Sequence, residues 1–315
     1  SYNDANAIDR ILLDRIHRIK FDHLSLDDKL TITNTYLLPE IYKKMGLEGI
    51  ISIDNATIKY IVEGYTCEPG VRKLKEVLFE VIGEINLSIL KDSNAYDLPI
   101  QITIDDINGK YLKDRQATRI VRVPTSPSVG VICGLWANSL GMGGVLSIET
   151  SRFPSASFLE LKLTGMQGDV MKESMNVAKT LAWNMLPKTR AKTIQTDMKC
   201  CGIHVHVPEG STPKDGPSAG TAITVAMYSL FSDKPIPCDV AITGEICLQG
   251  RVTAIGGLDL KILGGISAGV KTFLFPRENE NDFKDFMEKY GEKDIVKDIN
   301  FIQVSTIQEV VTHVF

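Results

Sequence analysis

The chain has 315 residues, 43% hydrophobic and 23% charged, the proportions of a soluble globular protein with enough material for two cores. Its net charge of −4 gives no electrostatic case for nucleic acid, and no apolar run approaches the roughly 20 residues that cross a bilayer. The cysteines Cys67, Cys133, Cys200, Cys201, Cys238 and Cys247 form no C-x-x-C pair and no zinc spacing, so they read as mostly buried thiols in a reducing compartment, and no metal site is expected.

The sequence opens at Ser1 with neither a methionine nor a signal peptide and reads as a piece of a longer protein. Residues 1 to about 118 are expected to be mainly helical. Ser25-Leu26-Asp27-Asp28 has the form of a capping box. The helix it opens should run toward Lys43-Lys44, be bent or broken at Pro39 and stop at Gly46. Asp54 or Asn55 can cap the next helix. Leu74, Val77, Leu78, Val81, Ile82 and Ile85 follow helical spacing, and residues 99–104 alternate like a short strand. The stretch from Asp114 to Ser128 reads as a junction.

From Val129 onward strands and helices mix. Leu159, Leu161 and Leu163 predict a strand, residues 165–168 a turn, and Asp169 the start of a helix. In Ile203-His204-Val205-His206-Val207 both histidines should share one face of a strand. Residues 272–275 and 300–304 predict further strands, and residues 306–315 a short helix.

One run carries the chemistry: Pro213-Lys214-Asp215-Gly216-Pro217-Ser218-Ala219-Gly220. Ala219, Ala222, Ile223, Ala226, Met227 and Leu230 follow it at the spacing of an amphipathic helix, which puts Ser218 at a helix N-terminus. Unpaired N–H groups there favour a developing oxyanion, as an attacking serine needs. A serine at that place is also a common N-cap. As a nucleophile it requires a base. Asp215 with His204 and His206 could build a Ser-His-Asp triad. Alternatively Lys261, flanked by Leu260, Ile262 and Leu263, could lose its charge through burial and act as base. The residues themselves leave the two open. No Gly-x-x-x-x-Gly-Lys-Ser/Thr phosphate loop occurs.

Several motifs stand in one order: Leu13-Asp14-Arg15, Glu68-Pro69-Gly70-Val71-Arg72, residues 168–174, His204 to Gly210, Pro213 to Gly220, Thr243-Gly244-Glu245, and Gly250-Arg251-Val252 leading to Gly256-Gly257. With these motifs, nearly the whole chain resembles the C-terminal part of the Lon family of ATP-dependent proteases. The resemblance implies an α+β chain, a small helical AAA+ lid followed by a mixed α/β proteolytic domain. Residues 1–9 would be the tail end of the AAA+ core, 10–118 the lid and 119–315 the proteolytic domain. It implies a dyad of Ser218 and Lys261, with Thr243, Asp215, Glu245, His204 and His206 in support. The backbone N–H groups of Gly216, Ser218 and Ala219 are the expected oxyanion hole. Asn3, Arg15 and Arg72 fall at the sensor-1, arginine-finger and sensor-2 positions.

By the same resemblance the intact protein uses ATP and Mg²⁺, while the peptidase step needs no cofactor. It would act as a homohexamer on unfolded proteins, in the cytoplasm or the mitochondrial matrix; the charge does not indicate a nucleic-acid partner and the hydropathy indicates no membrane. One departure is Gly264-Gly265, where the family usually has alanines, so the helix carrying Lys261 is expected to be looser. A rival from another class follows from that looseness: a catalytically silent fragment that binds unfolded chains or serves assembly.

Overall fold

The computed structural model describes residues 8–17, 19, 24–66, 68–92, 96–117, 121–138, 141–197, 199–208 and 215–315. Asn3 and Cys67 lie outside the described residues, as do 209–214 of the two motifs before Ser218. The chain forms two compact units, 1–115 and 116–315.

The first unit contains α1 (Arg10–Leu13), α2 (Leu26–Ile32), α3 (Leu38–Met45), β1 (Ile51–Ile53), α4 (Asn55–Ile61), α5 (Arg72–Lys91), β2 (Ile100–Ile102) and α6 (Ile104–Asp106). The capping box at Ser25 is formed: its hydroxyl accepts from Asp28 N at 3.2 Å, and the Asp28 carboxylate accepts from Ser25 N at 2.9 Å. Pro39 does not break the helical path as expected. Residues 33–37 wind as a π-helix, and the Leu38 N–H reaches back five residues to the Thr33 carbonyl. Shifting the pairing there accommodates the N–H that proline lacks. Gly46 then ends α3 in the left-handed region at φ 67°. Leu74, Val77, Leu78, Val81, Ile82 and Ile85 form the buried stripe of α5. The Glu68 carboxylate holds its first turn, accepting from Lys73 N at 3.0 Å and Leu74 N at 2.7 Å. β2 is the expected strand, and it pairs in parallel with β1. Three residues, Ile51-Ser52-Ile53, are too few for a period-two signal, so β1 was not legible.

The second unit contains β3 (Ser128–Val129), β4 (Val131–Ala137), β5 (Gly143–Pro154), β6 (Leu161–Thr164), α7 (Asp169–Asn184), α8 (Lys188–Asp197), β7 (Cys201–His206), α9 (Gly220–Ser232), β8 (Pro235–Ile236), β9 (Val240–Ile242), β10 (Glu245–Ile246), β11 (Val252–Thr253), α10 (Leu258–Ala268), β12 (Thr272–Pro276), α11 (Glu280–Tyr290), β13 (Asn300–Val304) and α12 (Ile307–Val314). A seven-stranded sheet runs β13-β12-β9-β4-β5-β7-β6. It is parallel except where β5 pairs antiparallel with β4 and β7. Alternate strand residues feed two cores, as the pleat requires. Ile132, Ile148, Ile203, Val205, Ile242 and Leu274 pack with α7, α9 and α12. Cys133, Leu135, Val145, Ala241, Phe273 and Phe275 pack with α10 and α11.

Two expectations are corrected here. The strand expected from Leu159 starts at Leu161, because Leu159 sits at φ 54° in the preceding turn. The helix after Ser218 is not amphipathic: residues from Gly220 to Phe231, except Tyr228, are buried. Its polar members, Thr221, Thr224 and Ser229, bond to backbone carbonyls, which lets a helix be enclosed on every side.

Candidate active site

Ser218 lies in a 3₁₀ turn, Pro217–Ala219, that leads directly into α9. Its carbonyl accepts from Gly244 N at 2.8 Å and from the Thr243 hydroxyl at 3.4 Å. The Gly244 carbonyl in turn accepts from Thr221 N at 3.1 Å and the Thr221 hydroxyl at 2.9 Å. Thr243 is buried and its N–H bonds to the Leu274 carbonyl at 3.0 Å. The end of β9 thus clamps the start of α9. Thr243 holds the serine's backbone; its hydroxyl makes no bond to a lysine among the described residues. The Ser218 hydroxyl makes no hydrogen bond to any described residue, and no side chain caps this turn. Ser218 is therefore not spent as an N-cap.

Asp215 fastens the same turn from the other side. Its Oδ1 accepts from Met171 N at 3.0 Å and from Gly216 N at 2.9 Å. It caps α7, whose own N-cap residue, Gly168, brings no side chain to the task. A Cβ on Gly168 would stand 2.6 Å from Asp215 Oδ1, so only glycine admits the carboxylate. Replacing Asp215 with alanine should cost about 1 kcal/mol of stability, whereas Asp215→Asn retains an acceptor and most of the effect. Chemical denaturation of the two variants measures the difference.

Of the expected oxyanion donors, the Gly216 N–H is engaged by Asp215. In a 3₁₀ turn the N–H of the third residue closes on the carbonyl before the first, which commits the Ala219 N–H as well. The Ser218 N–H is left.

Lys261 sits in the second turn of α10, 4% exposed. Among the described residues its Nζ has neither a hydrogen-bond partner nor a counter-ion. Burial pushes its pKa down to about 8. About a tenth of such amines are neutral at pH 7, and half at pH 8. Ser218 and Lys261 do not hydrogen-bond to each other here, and catalytic contacts are often loose without substrate. Gly264-Gly265 does not interrupt the helix. α10 continues unbroken to Ala268, and Gly265 is buried against Phe273 and Leu135.

His204 and His206 do share one face of β7, as expected. Both meet one hydroxyl, Thr164 Oγ1, at 2.9 Å and 2.7 Å. Burial, then the charges of Lys162 and His206, lower the His204 pKa. No described hydrogen bond links either histidine to Ser218 or Asp215. Glu245 is exposed in β10, where its backbone pairs with β11, and its side chain makes no hydrogen bond or ion pair to a described residue. In the first unit Arg15 is exposed in the turn after α1. Arg72 opens α5 with its side chain 92% exposed and, among the described residues, one ion-pair contact, Glu76 Oε1 at 3.4 Å. Among the described residues no three His, Cys, Asp or Glu side chains are grouped to hold a metal, and no helix is long and apolar enough to cross a membrane.

Sequence reasoning missed Thr164 and Gly168. A threonine at a strand end carries no signal of its own. A glycine at a helix start with no capping side chain does, since it asks where the cap comes from.

Residues 103–315 match the family described as Lon protease (S16) C-terminal proteolytic domain. The chain is 36% identical over 313 residues to a Lon protease of Methanosarcina barkeri, covering 97% of this chain and 37% of that protein. It is 36% identical over 321 residues to one of Campylobacter jejuni, covering 99% and 39%. To the Lon protease of Escherichia coli it is 35% identical over 308 residues, covering 96% and 37%. The chain thus spans under two fifths of the length of these relatives.

Proposed function

The chain belongs to the Lon protease family, a family of serine-type peptidases, and from that premise we propose that it cleaves peptide bonds with Ser218 as nucleophile and Lys261 as general base. The observation that carries this reading is the buried amine of Lys261, which has no partner among the described residues and a pKa near 8. A charged lysine could not accept the serine's proton; desolvation supplies the neutral form.

In the reaction the Ser218 hydroxyl oxygen attacks the scissile carbonyl carbon while Lys261 Nζ takes its proton. The tetrahedral oxyanion then collapses and the C–N bond breaks. Lys261 returns the proton to the leaving amine, and an ester remains on Ser218. Water attacks that ester with Lys261 again as base, and the acid product leaves. The Gly216, Ser218 and Ala219 N–H groups can face the oxyanion once the 3₁₀ turn opens and Gly216 leaves Asp215. Thr243 and Asp215 are positioning residues for that turn. His204 and His206 support the surrounding structure through Thr164, and neither they nor the exposed Glu245 have a proton-transfer role.

Residues 119–315 are the proteolytic domain in this reading, 10–118 the AAA+ lid and 1–9 the end of the AAA+ core. The whole protein is an ATP-dependent homohexamer that degrades unfolded or damaged proteins. The exposed guanidinium of Arg72 fits a nucleotide-sensing role, because a fixed charge in reach of solvent suits phosphate. Arg15 and Asn3 are nucleotide-sensing residues in the same reading, and hydrolysis of ATP with Mg²⁺ supplies the work of unfolding. Cys133, Cys200, Cys201, Cys238 and Cys247 are all free thiols, but only Cys133 is buried, against the expectation of mostly buried thiols; unpaired cysteines fit a reducing compartment, the cytoplasm or mitochondrial matrix.

Hydrolysis of an unstructured fluorogenic peptide by this chain tests the proposal. Cleavage by the parent and its loss in Ser218→Ala are expected. Cleavage that survives in Ser218→Ala overturns it, and peptide binding without turnover would instead favour a silent holder.

A further inference from the structure

α10 rests on β5 with backbone against backbone. A Cβ built on Gly143 would fall far inside 3.0 Å of the Leu260 carbonyl and 3.0 Å from the Lys261 nitrogen. One built on Gly264 would fall inside the Gly143 carbonyl group and the Gly144 nitrogen. Leu260 and Gly264 are one helical turn apart, so Gly143 is seated in the notch between them. Lys261 leaves the helix from that same turn. Its amine is buried and without a partner among the described residues.

We propose that the Gly143–Gly264 contact is a positioning device for Lys261, setting how deep α10 lies against the sheet and thereby keeping water from the amine. This inference rests on Lys261 being the general base. Helix propensity alone argues the opposite way, since alanine is the better helix former at position 264. Here an added methyl meets backbone, which cannot rotate aside as a side chain can, so the helix must lift. A displacement of about 1 Å of a reacting group costs on the order of 10²-fold in rate. Water reaching the amine also returns it toward an ordinary lysine and moves the acid limb of the pH–rate profile upward.

The test is kcat/KM for an unstructured peptide against pH, using the full chain with Gly264→Ala, Gly143→Ala, and Ser267→Ala on the exposed side of α10. Near-UV circular dichroism checks the fold of each. Both glycine variants should lose about 10- to 100-fold at pH 7 and shift the acid limb by about one pH unit upward. Ser267→Ala should match the parent. Folded glycine variants that keep the parent's midpoint overturn the proposal, even if their amplitude falls. If neither folds, Gly265→Ala takes their place. Its methyl meets side-chain atoms of Phe273 and Leu135, which can yield. Both side chains are themselves packed in the core, so part of the strain still lifts α10: a smaller upward shift is expected, and an unmoved midpoint overturns the proposal. Lys261→Ala in the same assay separates the two layers. Activity retained there refutes the general-base reading, whereas loss there with an unmoved limb in Gly264→Ala refutes only the seat.

Discussion

Replacing Lys261 with methionine should raise the stability of the protein at pH 7 while abolishing its peptidase activity. The lysine is 4% exposed, and burial lowers its pKa from 10.5 to about 8. Each pH unit between folded and unfolded values is worth about 1.4 kcal/mol, so holding the charged form in the fold costs about 3 kcal/mol below pH 8. Methionine has similar length and no charge to desolvate. A gain of that size corresponds to roughly 6–12 °C in melting temperature for a unit of this size. The sign of the pH dependence is fixed. The folded pKa lies below the unfolded one, so the parent gains stability as pH rises from about 8 to 10.5. Lys261→Met should lack that slope. Thermal melts of both proteins from pH 7 to 10.5 read it directly, and parallel curves would mean that the amine is hydrated.

The second large effect is on rate. With a neutral amine as base, kcat/KM should rise about tenfold per pH unit below the Lys261 pKa and level off above it. Lys261→Ala should lower it by on the order of 10⁴-fold. Lys261→Arg should do the same, because a guanidinium does not give up its proton in this range. His204→Ala and His206→Ala should leave the limb in place, since both rings bond to Thr164 and no described bond joins them to Ser218. A Ser-His-Asp triad would reverse that pattern.

Local signals carried much of the fold. The capping box at Ser25, the stripe of α5 and the strands around Phe273 and Ile302 are written in short-range spacing, and the structure forms them. What was not legible depends on neighbours distant in sequence. β1 exists because β2 lies beside it. α9 looks amphipathic from its apolar residues, yet it is enclosed because its threonines and serines return to backbone carbonyls. Gly264-Gly265 reads as a weak helix until Gly143 is seen against it.

The site follows the same rule. The helical start after Ser218 and the apolar flanks of Lys261 could be read along the chain, but the choice between lysine and histidine could not. In the proposed reading that choice draws on the bonds both histidines make to Thr164 and on the burial of Lys261, both properties of the assembled sheet.

The most direct measurement is the rate at which a serine-directed electrophile labels Ser218 across pH 6 to 10, located by peptide mass spectrometry, in the parent and in Lys261→Ala. Labelling of the parent should rise with pH about a midpoint near the Lys261 pKa of about 8 and fall to background in Lys261→Ala. Labelling that persists without Lys261, or that is lost in His204→Ala or His206→Ala instead, would contradict the account.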